Sequence, residues 1–264
     1  MDLGLAGKTA IVTGASRGIG LAIVESLVRE GVTVVAASRQ TGEALAKLAA
    51  AGRVRPFAVD LGQKEGPAQL AAFCLEELGR VDLLFNNVGG IDLKLGGFLE
   101  FSDEDWLRSF ELNLLSVVRL TRAVLPAMLA QGSGAIVNIS SNNARQPDPV
   151  VGTYSAAKAG VTNLSKALAQ EFGARGIRVN AVSPGPVRTA IQTEASGVAG
   201  VLGEKLGVAR ADLIEQLPKM NGMVLGRLVE PSEVAALALF LASPQAATIT
   251  GEEILIDGGM SKTI

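Results

Sequence analysis

The chain contains no histidine among its 264 residues. This excludes catalysis by a serine–histidine–aspartate triad, zinc sites with histidine ligands, and hydride transfer assisted by histidine. Tyrosine is almost as scarce, because Tyr154 is the only one. Acid–base chemistry must therefore come from tyrosine, lysine, a carboxylate or a cofactor, and a tyrosine mechanism can have only one centre.

Cysteine and excess charge are also lacking. Cys74 is the only cysteine, which excludes a disulfide framework and a thiolate metal cluster. The 24 basic and 26 acidic residues give a net charge of −2, whereas nucleic-acid and anionic-membrane partners require a basic excess. The N-terminus lacks a signal-peptide pattern, and Gly, Pro or charge interrupts every long apolar run. We expect a cytoplasmic protein with neither nucleic acid nor membrane as a partner.

Aromatic residues make up only 4% of the chain, whereas hydrophobic residues make up 48%. An aliphatic core of this kind is typical of parallel sheets covered by helices. The predicted strands are Lys8–Thr13, Thr33–Ala37, Arg55–Val59, Leu83–Phe85, Ala135–Ile139, Arg178–Val182 and Ile254–Ile256. The predicted helices are Ile19–Glu30, Glu43–Ala51, Ala68–Leu78, Asp103–Ala130, Thr153–Phe172 and Ser232–Leu241. The pattern predicts one α/β domain over residues 1–264, a Rossmann-type doubly wound, seven-stranded parallel sheet with helices on both faces.

One segment, residues 186–230, interrupts the alternation. It has no clear strand, and its glycines alternate with apolar residues such as Leu206 and Met223. Long segments of this kind between sheet elements are often functional, so we predict a substrate lid. The alternative is that these side chains pack on the protein itself or on another subunit.

A glycine-rich turn follows the first predicted strand. Gly14, Gly18 and Gly20 lie between that strand and a helix, where a doubly wound sheet receives the pyrophosphate of a dinucleotide. Glycine allows the tight turn and lets backbone N–H groups approach the phosphates. The position of the turn, rather than the glycines alone, predicts a dinucleotide site.

Further motifs follow in order along the chain. They are TGASRGIG at Thr13–Gly20, Asp60-Leu61, NNVGG at Asn86–Gly90, Asn113, IVNISS at Ile136–Ser141, the Tyr154/Lys158 pair, and Pro184-Gly185. This set resembles the short-chain dehydrogenase/reductase family, in its 3-oxoacyl-carrier-protein-reductase-like branch. The resemblance implies an NADP(H)-dependent enzyme that interconverts a ketone or β-oxo carbonyl and a secondary alcohol. Val88 departs from the family, which commonly has alanine there.

The resemblance also implies a set of cofactor-binding residues. Asp60 would receive the adenine amino group, Asn87 to Gly89 would line the sugar region, and Pro184-Gly185 with Val187–Thr189 would contact the nicotinamide carboxamide. The full set is Gly14, Ser16, Arg17, Gly18, Ile19, Gly20, Ser38, Arg39, Asp60, Leu61, Asn87, Val88, Gly89, Tyr154, Lys158, Pro184, Gly185, Val187 and Thr189.

The end of the second strand indicates which dinucleotide binds. NAD sites place an acidic residue there, whereas this chain has Ser38 followed by Arg39, with Arg17 in the glycine-rich turn. Two guanidinium groups suit a 2′-phosphate, so NADP(H) is favoured over NAD(H). The alternative is that both arginines are solvated surface charges.

Tyr154 and Lys158 are four residues apart, so they project from one face of a helix. An ammonium beside the phenol, together with a positive nicotinamide, would lower the tyrosine pKa. By the resemblance, Ser141 would bind the substrate oxygen, although Ser140 is a rival because adjacent strand residues face opposite ways. Asn113 would belong to a proton relay, or it would be a structural cap at a kink.

Three functional interpretations remain open: a carbonyl reductase or alcohol dehydrogenase, a non-catalytic dinucleotide sensor, and a sugar-nucleotide epimerase or dehydratase. The small-molecule substrate is predicted to be an apolar ketone or a β-oxo thioester. A homotetramer is expected because the long helices carry apolar residues on more than one face. The residues that suggest this are Leu125, Met128, Leu129, Val161, Leu164 and Leu168.

Overall fold

The computed structural model describes residues 2–262. Within this range the strands form one sheet, and all of its strand pairs are parallel. The strands are β1 (Thr9–Thr13), β2 (Thr33–Ser38), β3 (Val54–Ala58), β4 (Leu83–Asn86), β5 (Gly134–Ile139), β6 (Ile177–Pro184) and β7 (Glu253–Ile256). They lie in the order β3-β2-β1-β4-β5-β6-β7. The predicted seven-stranded, Rossmann-type sheet is confirmed, and each strand end lies within two residues of its predicted position.

Helices cover both faces of this sheet. They are α1 (Gly18–Arg29), α2 (Glu43–Ala50), α3 (Gly66–Leu78), α4 (Asp103–Phe110), α5 (Ser116–Gln131), α6 (Gly152–Phe172), α7 (Ala190–Thr193), α8 (Val198–Leu206), α9 (Arg210–Met220) and α10 (Pro231–Ala242). Strand alternation divides the core into two layers. Val12 packs into the layer with α1 and α10, whereas its neighbour Ile11 packs into the layer with α3 and α5.

The strand order reverses beside β1, and this reversal creates the ligand crevice. β1 pairs with β2 on one side and with β4 on the other, so the connections on its two sides run in opposite directions. Ligands of open α/β sheets bind at such a switch point, beyond the carboxyl ends of the strands. The glycine-rich turn after β1 and the residues after β4 and β5 border this crevice.

The predicted continuous helix Asp103–Ala130 was wrong in one respect. Residues Glu111–Leu115 form a π-helical turn that separates α4 from α5. A π turn inserts one extra residue into a helix and is frequent at functional sites. Asn113 lies within this π turn. The turn interrupts the regular helix at the buried amide, and it places Asn113 near the site.

The helical stretch Asp103–Gln131 is long and apolar enough, by length and composition, to span a membrane, with a mean hydropathy of 1.4. The fold accounts for this composition. Leu120, Val124 and Met128 are fully buried in the α3/α5 core layer. A core helix of a folded domain meets the same criterion.

The 186–230 segment is helical rather than irregular. It contains α7, α8 and α9, and a parallel bridge between Val187 and Val229 joins its two ends. Met223 is only 5% exposed and belongs to the α1/α10 core layer, whereas Leu206 is 56% exposed at the end of α8. Part of the predicted apolar cover therefore packs on the protein itself.

Half of the apolar residues that suggested a tetramer are covered within one chain. Met128 and Val161 are fully buried, and Leu125 is 8% exposed. Leu129, Leu164 and Leu168 are half-buried, so only these three leave part of their apolar surface uncovered on α5 and α6. The exposed large apolar residues are elsewhere, and among the described residues they include Phe98, Leu99, Leu107, Val224 and Leu225.

Candidate active site

Tyr154 and Lys158 lie one turn apart at the start of α6, as their spacing predicts. The Lys158 Nζ atom is 5.6 Å from the centroid of the Tyr154 ring. It donates a hydrogen bond to the main-chain oxygen of Ile139, at a distance of 2.7 Å. Lys158 is only 3% exposed, so its ammonium is held beside the phenol rather than in solvent.

Burial changes the acidity of both groups. It lowers the pKa of Lys158 to about 8, because the low-dielectric surroundings disfavour the ammonium. Burial raises the pKa of Tyr154, and a hydrogen bond with Ser141 opposes that rise. The described residues therefore do not give the lowered tyrosine pKa expected from the sequence. They keep the phenol protonated at neutral pH, which is the form that donates a proton.

The two serines after β5 face different partners. Ser141 lies beside Tyr154 and lowers the pKa of its phenol, and the Ser141 hydroxyl accepts from the Asn143 N–H at 3.2 Å. The Ser140 hydroxyl points the other way, where it donates to the Lys158 carbonyl at 3.1 Å and lies 2.8 Å from Thr162 Oγ1. Ser141 therefore lies beside the tyrosine, whereas the Ser140 side chain packs against α6.

Asn113 is 1% exposed, and both its side-chain oxygen and its side-chain nitrogen form hydrogen bonds with backbone groups. Its Oδ1 accepts from the Gly90 N–H at 3.0 Å, and its Nδ2 donates to the carbonyls of Gly90 and Ser109, both at 3.0 Å. A Cβ atom at Gly89 would lie 2.9 Å from Asn113 Oδ1 and 3.5 Å from Lys158 Nζ. Asn113 therefore fixes the loop after β4 against the lysine.

The glycine-rich turn is braced from below by the loop after β4. Thr13 Oγ1 accepts from the N–H groups of Asn87 and Val88 at 2.8 and 2.9 Å. Asn87 Nδ2 in turn donates to the carbonyls of Thr13 and Gly14 at 2.9 and 3.3 Å. The Asn87 side chain therefore shapes the turn, which leaves mainly its backbone for a cofactor.

Glycine at three positions of the turn has a structural cause. Gly14 and Gly18 have φ values of 66° and 58°, in the left-handed region that disfavours other residues. A Cβ at Gly20 would lie 2.2 Å from the Gly14 carbonyl oxygen. The third glycine is thus required by packing inside the turn, in addition to any approach by phosphates. Ser16 and Ile19, between these glycines, are half-buried.

Two arginines lie near the end of β2, but they differ in their contacts. Arg39 is exposed and makes no side-chain hydrogen bond or ion pair with the described residues. Arg17 Nη1 lies 3.3 Å from a carboxylate oxygen of Glu194, in the 186–230 segment. Ser38 is buried and donates from its hydroxyl to the Gln40 carbonyl at 2.8 Å. In this arrangement the Arg39 guanidinium is available to an anion, whereas the Arg17 guanidinium is paired with Glu194.

The other predicted cofactor residues lie along the same edge. Asp60 is exposed, and its Oδ1 accepts from the Gly62 N–H at 2.9 Å, whereas the side chain of Leu61 is buried in the core. Pro184 ends β6, and Val187 is 6% exposed. Gly185 is required because a Cβ there would lie 2.8 Å from the Cβ of Asp257. Thr189 lies against the glycine-rich turn, because a Cβ at Gly18 would be 3.1 Å from Thr189 Cγ2. Leu61 and Val187 can therefore offer only backbone groups.

Two residues that shape this edge were not predicted from the sequence. Thr13 supports the loop after β4, and Glu194 pairs with Arg17. The hydroxyl of Thr13 at the end of the first strand gives a weak signal, because the last residue of a strand often supports the turn that follows. No sequence signal identifies Glu194, because its partner is 177 residues away.

The chain matches the family described as enoyl-(acyl carrier protein) reductase over residues 14–261. Among curated proteins, it is 35% identical over 260 residues to the 3-oxoacyl-[acyl-carrier-protein] reductase FabG of Thermotoga maritima, covering 97% of this chain and 98% of that protein. It is 36% identical to the FabG of Vibrio cholerae, covering 98% and 99% of the two chains. The Caenorhabditis elegans dehydrogenase/reductase SDR family member 4 is also 36% identical, covering 96% and 95%.

Solved structures give the same picture. The L-sorbose reductase of Gluconobacter frateurii, in complex with NADPH and L-sorbose, superposes with a TM-score of 0.92 at 33% identity over 100% of both chains. An actinorhodin polyketide ketoreductase with NADPH superposes with a TM-score of 0.87 at 36% identity, covering 97% of this chain and 98% of that one. These proteins share the fold described above along its whole length.

Proposed function

The chain belongs to the short-chain dehydrogenase/reductase family, and we propose that it is an NADP(H)-dependent enzyme that reduces a ketone or β-oxo carbonyl to a secondary alcohol, or catalyses the reverse. One observation carries the proposal. The Lys158 ammonium lies 5.6 Å from the centroid of the Tyr154 ring, and Ser141 lies beside the same phenol and lowers its pKa, at the carboxyl end of β5. This is the edge at which doubly wound sheets bind ligands.

The chemistry assigned to each side chain follows from that geometry. A nicotinamide cofactor held at this edge would supply the hydride for the carbonyl carbon. Tyr154, protonated at neutral pH, gives its proton to the carbonyl oxygen. Ser141 donates a hydrogen bond to the same oxygen as negative charge develops there. Lys158, anchored on Ile139, places a positive charge beside the phenol, and it would hold the nicotinamide ribose.

Asn113 completes the set as a positioning residue. Its amide holds the loop at Gly89 and Gly90 against Lys158, from its place in the π-helical turn. We assign it to the relay that returns a proton from bulk water to Tyr154 through Lys158. The alternative role, a cap for the kink, is compatible with the same contacts.

The residues at the carboxyl edge fit a dinucleotide. Glycines in left-handed conformation bring backbone N–H groups of the turn to the N-terminus of α1, which suits a pyrophosphate. The exposed guanidinium of Arg39, with no partner among the described residues, suits a 2′-phosphate. The NADPH in the complexes of the sorbose reductase and the polyketide ketoreductase supports the same cofactor.

The proposed substrate is an apolar ketone or a β-oxo thioester, held under the 186–230 segment. The exposed Leu206 and the half-buried Val201 on α8 supply apolar surface there, whereas Val198 packs against the core. Of two arginines that a carrier protein could contact, Arg145 is instead paired with the Glu253 carboxylate at 2.6 Å. The other, Arg122 on α5, is exposed and has no ion pair among the described residues, so the thioester stays a substrate candidate beside the ketone.

The test is a survey of ketones and β-oxo thioesters with the wild-type protein and with Tyr154→Phe. Turnover is measured as the loss of NADPH absorbance. We expect turnover with at least one apolar ketone and none above background for the variant. Leu206→Ala should raise KM for the accepted ketone. A protein that binds NADPH but reduces nothing would instead be a dinucleotide sensor.

The proposal also includes a homotetramer and a cytoplasmic location. The exposed apolar residues Phe98, Leu99 and Leu107, together with Trp106, form an apolar surface at the start of α4 that a second copy could cover. The expectation of cytoplasmic location rests on the sequence features described above.

A further inference from the structure

An ion pair links the glycine-rich turn to the 186–230 segment. Arg17 Nη1 lies 3.3 and 3.4 Å from the two carboxylate oxygens of Glu194. Arg17 is the residue before α1, and Glu194 is the residue at which α7 ends. The pair therefore connects the cofactor turn to the first helix of the segment proposed to cover the substrate.

This pair conflicts with the role that the sequence predicts for Arg17. The sequence assigns the 2′-phosphate of NADP(H) to Arg17 together with Arg39, and the present inference rests on the proposed binding of that cofactor. Glu194 and a phosphate are both anionic acceptors for the same guanidinium, and two anions brought to one cation repel each other. Arg39 has no such competitor among the described residues.

The exposure of the pair sets its strength. The side chains of Arg17 and Glu194 are 64% and 55% exposed. Solvent-exposed ion pairs change an equilibrium by at most about five-fold, and added salt weakens them further. A dianionic phosphate can therefore displace Glu194, but the displacement reduces the affinity that Arg17 would otherwise provide.

We infer that Glu194 is a specificity-determining residue, which competes with the 2′-phosphate of the cofactor for Arg17 and so reduces the preference for NADPH over NADH. NADH has a hydroxyl in place of that phosphate, so it binds without disturbing the pair. The preference of the wild-type protein is then smaller than its two arginines would allow.

The experiment is calorimetric titration of NADPH and of NADH into the wild-type protein, Glu194→Gln and the control Glu204→Gln. Glu204 lies on α8 in the same segment, is exposed, and has no ion pair with the described residues. We expect the Kd for NADPH to fall about two- to five-fold in Glu194→Gln and the Kd for NADH to stay unchanged. Glu204→Gln should match the wild type with both cofactors.

A second background separates competition for Arg17 from repulsion through space. In Arg17→Ala, the added Glu194→Gln change should leave the Kd for NADPH unchanged, because the contested guanidinium is gone. The inference fails if Glu194→Gln does not tighten NADPH in the wild-type background, tightens NADH equally, or still tightens NADPH in Arg17→Ala. It also fails if Glu204→Gln has the same effect. A wild-type protein that binds neither dinucleotide overturns the proposed function itself.

Discussion

The Lys158 ammonium donates to the main-chain oxygen of Ile139 across 2.7 Å, so the last residue of β5 holds the lysine that lies beside Tyr154. Ser141, which also lies beside Tyr154, follows two residues later. One strand end therefore positions both groups that flank the phenol. Because a sheet strand is rigid, the three side chains keep their relative positions without support from the more variable loops.

Tyr154→Phe should retain cofactor affinity and lose turnover. The substitution removes one hydroxyl and leaves the ring that packs beside Lys158, so the predicted loss in kcat is about 10²–10⁴-fold. Titration with NADPH provides the binding measurement and steady-state kinetics the turnover. A variant with near-normal kcat would place the proton donor elsewhere.

Lys158 should make the protein more stable as the pH rises above 8. Its pKa in the folded protein is about 8, below the ordinary lysine value of 10.5, so the unfolded chain binds the extra proton between these values. Unfolding therefore becomes less favourable as the pH rises through that window, by about 2 kcal/mol from pH ~7 to pH ~9.5.

The comparison that isolates this contribution is Lys158→Met, measured by urea unfolding at both pH values. Other groups that titrate in the window, including the thiol of Cys74, contribute equally to both proteins. We expect the gain in the free energy of unfolding to be smaller in Lys158→Met than in the wild type. Equal gains would mean that the ammonium is not destabilised in the folded state.

Adjacent serines should give opposite phenotypes. Ser141→Ala removes the hydroxyl that contacts Tyr154, and the expected cost is about 10²-fold or more in kcat with little change in stability. Ser140→Ala leaves the Lys158 carbonyl and Thr162 without their partner, at a cost of about 1–3 kcal/mol in the free energy of unfolding. Kinetics and chemical denaturation of both variants check the contrast, and a reversed pattern would assign the substrate oxygen to Ser140.

Arg39→Asp should reverse the cofactor preference. Loss of one charge-assisted contact costs about 1.5–3 kcal/mol, or roughly 10- to 150-fold in kcat/KM with NADPH, whereas NADH should be affected little. The matched control is Arg122→Asp, because Arg122 is exposed on α5 and makes the same change in net charge. Equal kcat/KM values for NADPH and NADH in the wild type would contradict the cofactor assignment.

Light scattering should give a mass about four times the 27.2 kDa of the chain. Leu107→Glu places a charge on the exposed apolar surface at α4 and should lower that mass, because burying a carboxylate in an interface is costly. Leu206→Glu, at the end of α8, is the control and should leave the mass unchanged. A wild-type mass near that of one chain would exclude the tetramer.

The sequence predicts those features whose signal is local. The aliphatic runs give the strands, the glycines after β1 give the turn, and the four-residue spacing of Tyr154 and Lys158 gives their shared helix face. All three depend on interactions between residues that are near in the chain. The fold class was therefore predicted correctly and most element ends within two residues.

Features that depend on distant partners were not predictable in the same way. Residues Glu111–Leu115 form an ordinary helical pattern, and the π turn there lets Asn113 reach Gly90, 23 residues away. The choice between Ser140 and Ser141 depends on where α6 packs. Met223 is a flexible apolar residue of the kind expected in a lid, but the fold of its own segment buries it in the core. In each case tertiary packing decides between alternatives that the sequence leaves equal.

The position of β7 has a consequence for synthesis of the chain. β6 is almost entirely buried, with β5 on one side and β7, which begins at Glu253, on the other. A growing chain therefore completes β6 and α10 before the strand that covers the outer edge of β6 has emerged from the ribosome. Until then, β6 presents unpaired backbone groups along an apolar strand, a template for pairing with other chains. Aggregation during translation is thus expected in this interval, when a chaperone would protect the exposed edge of β6.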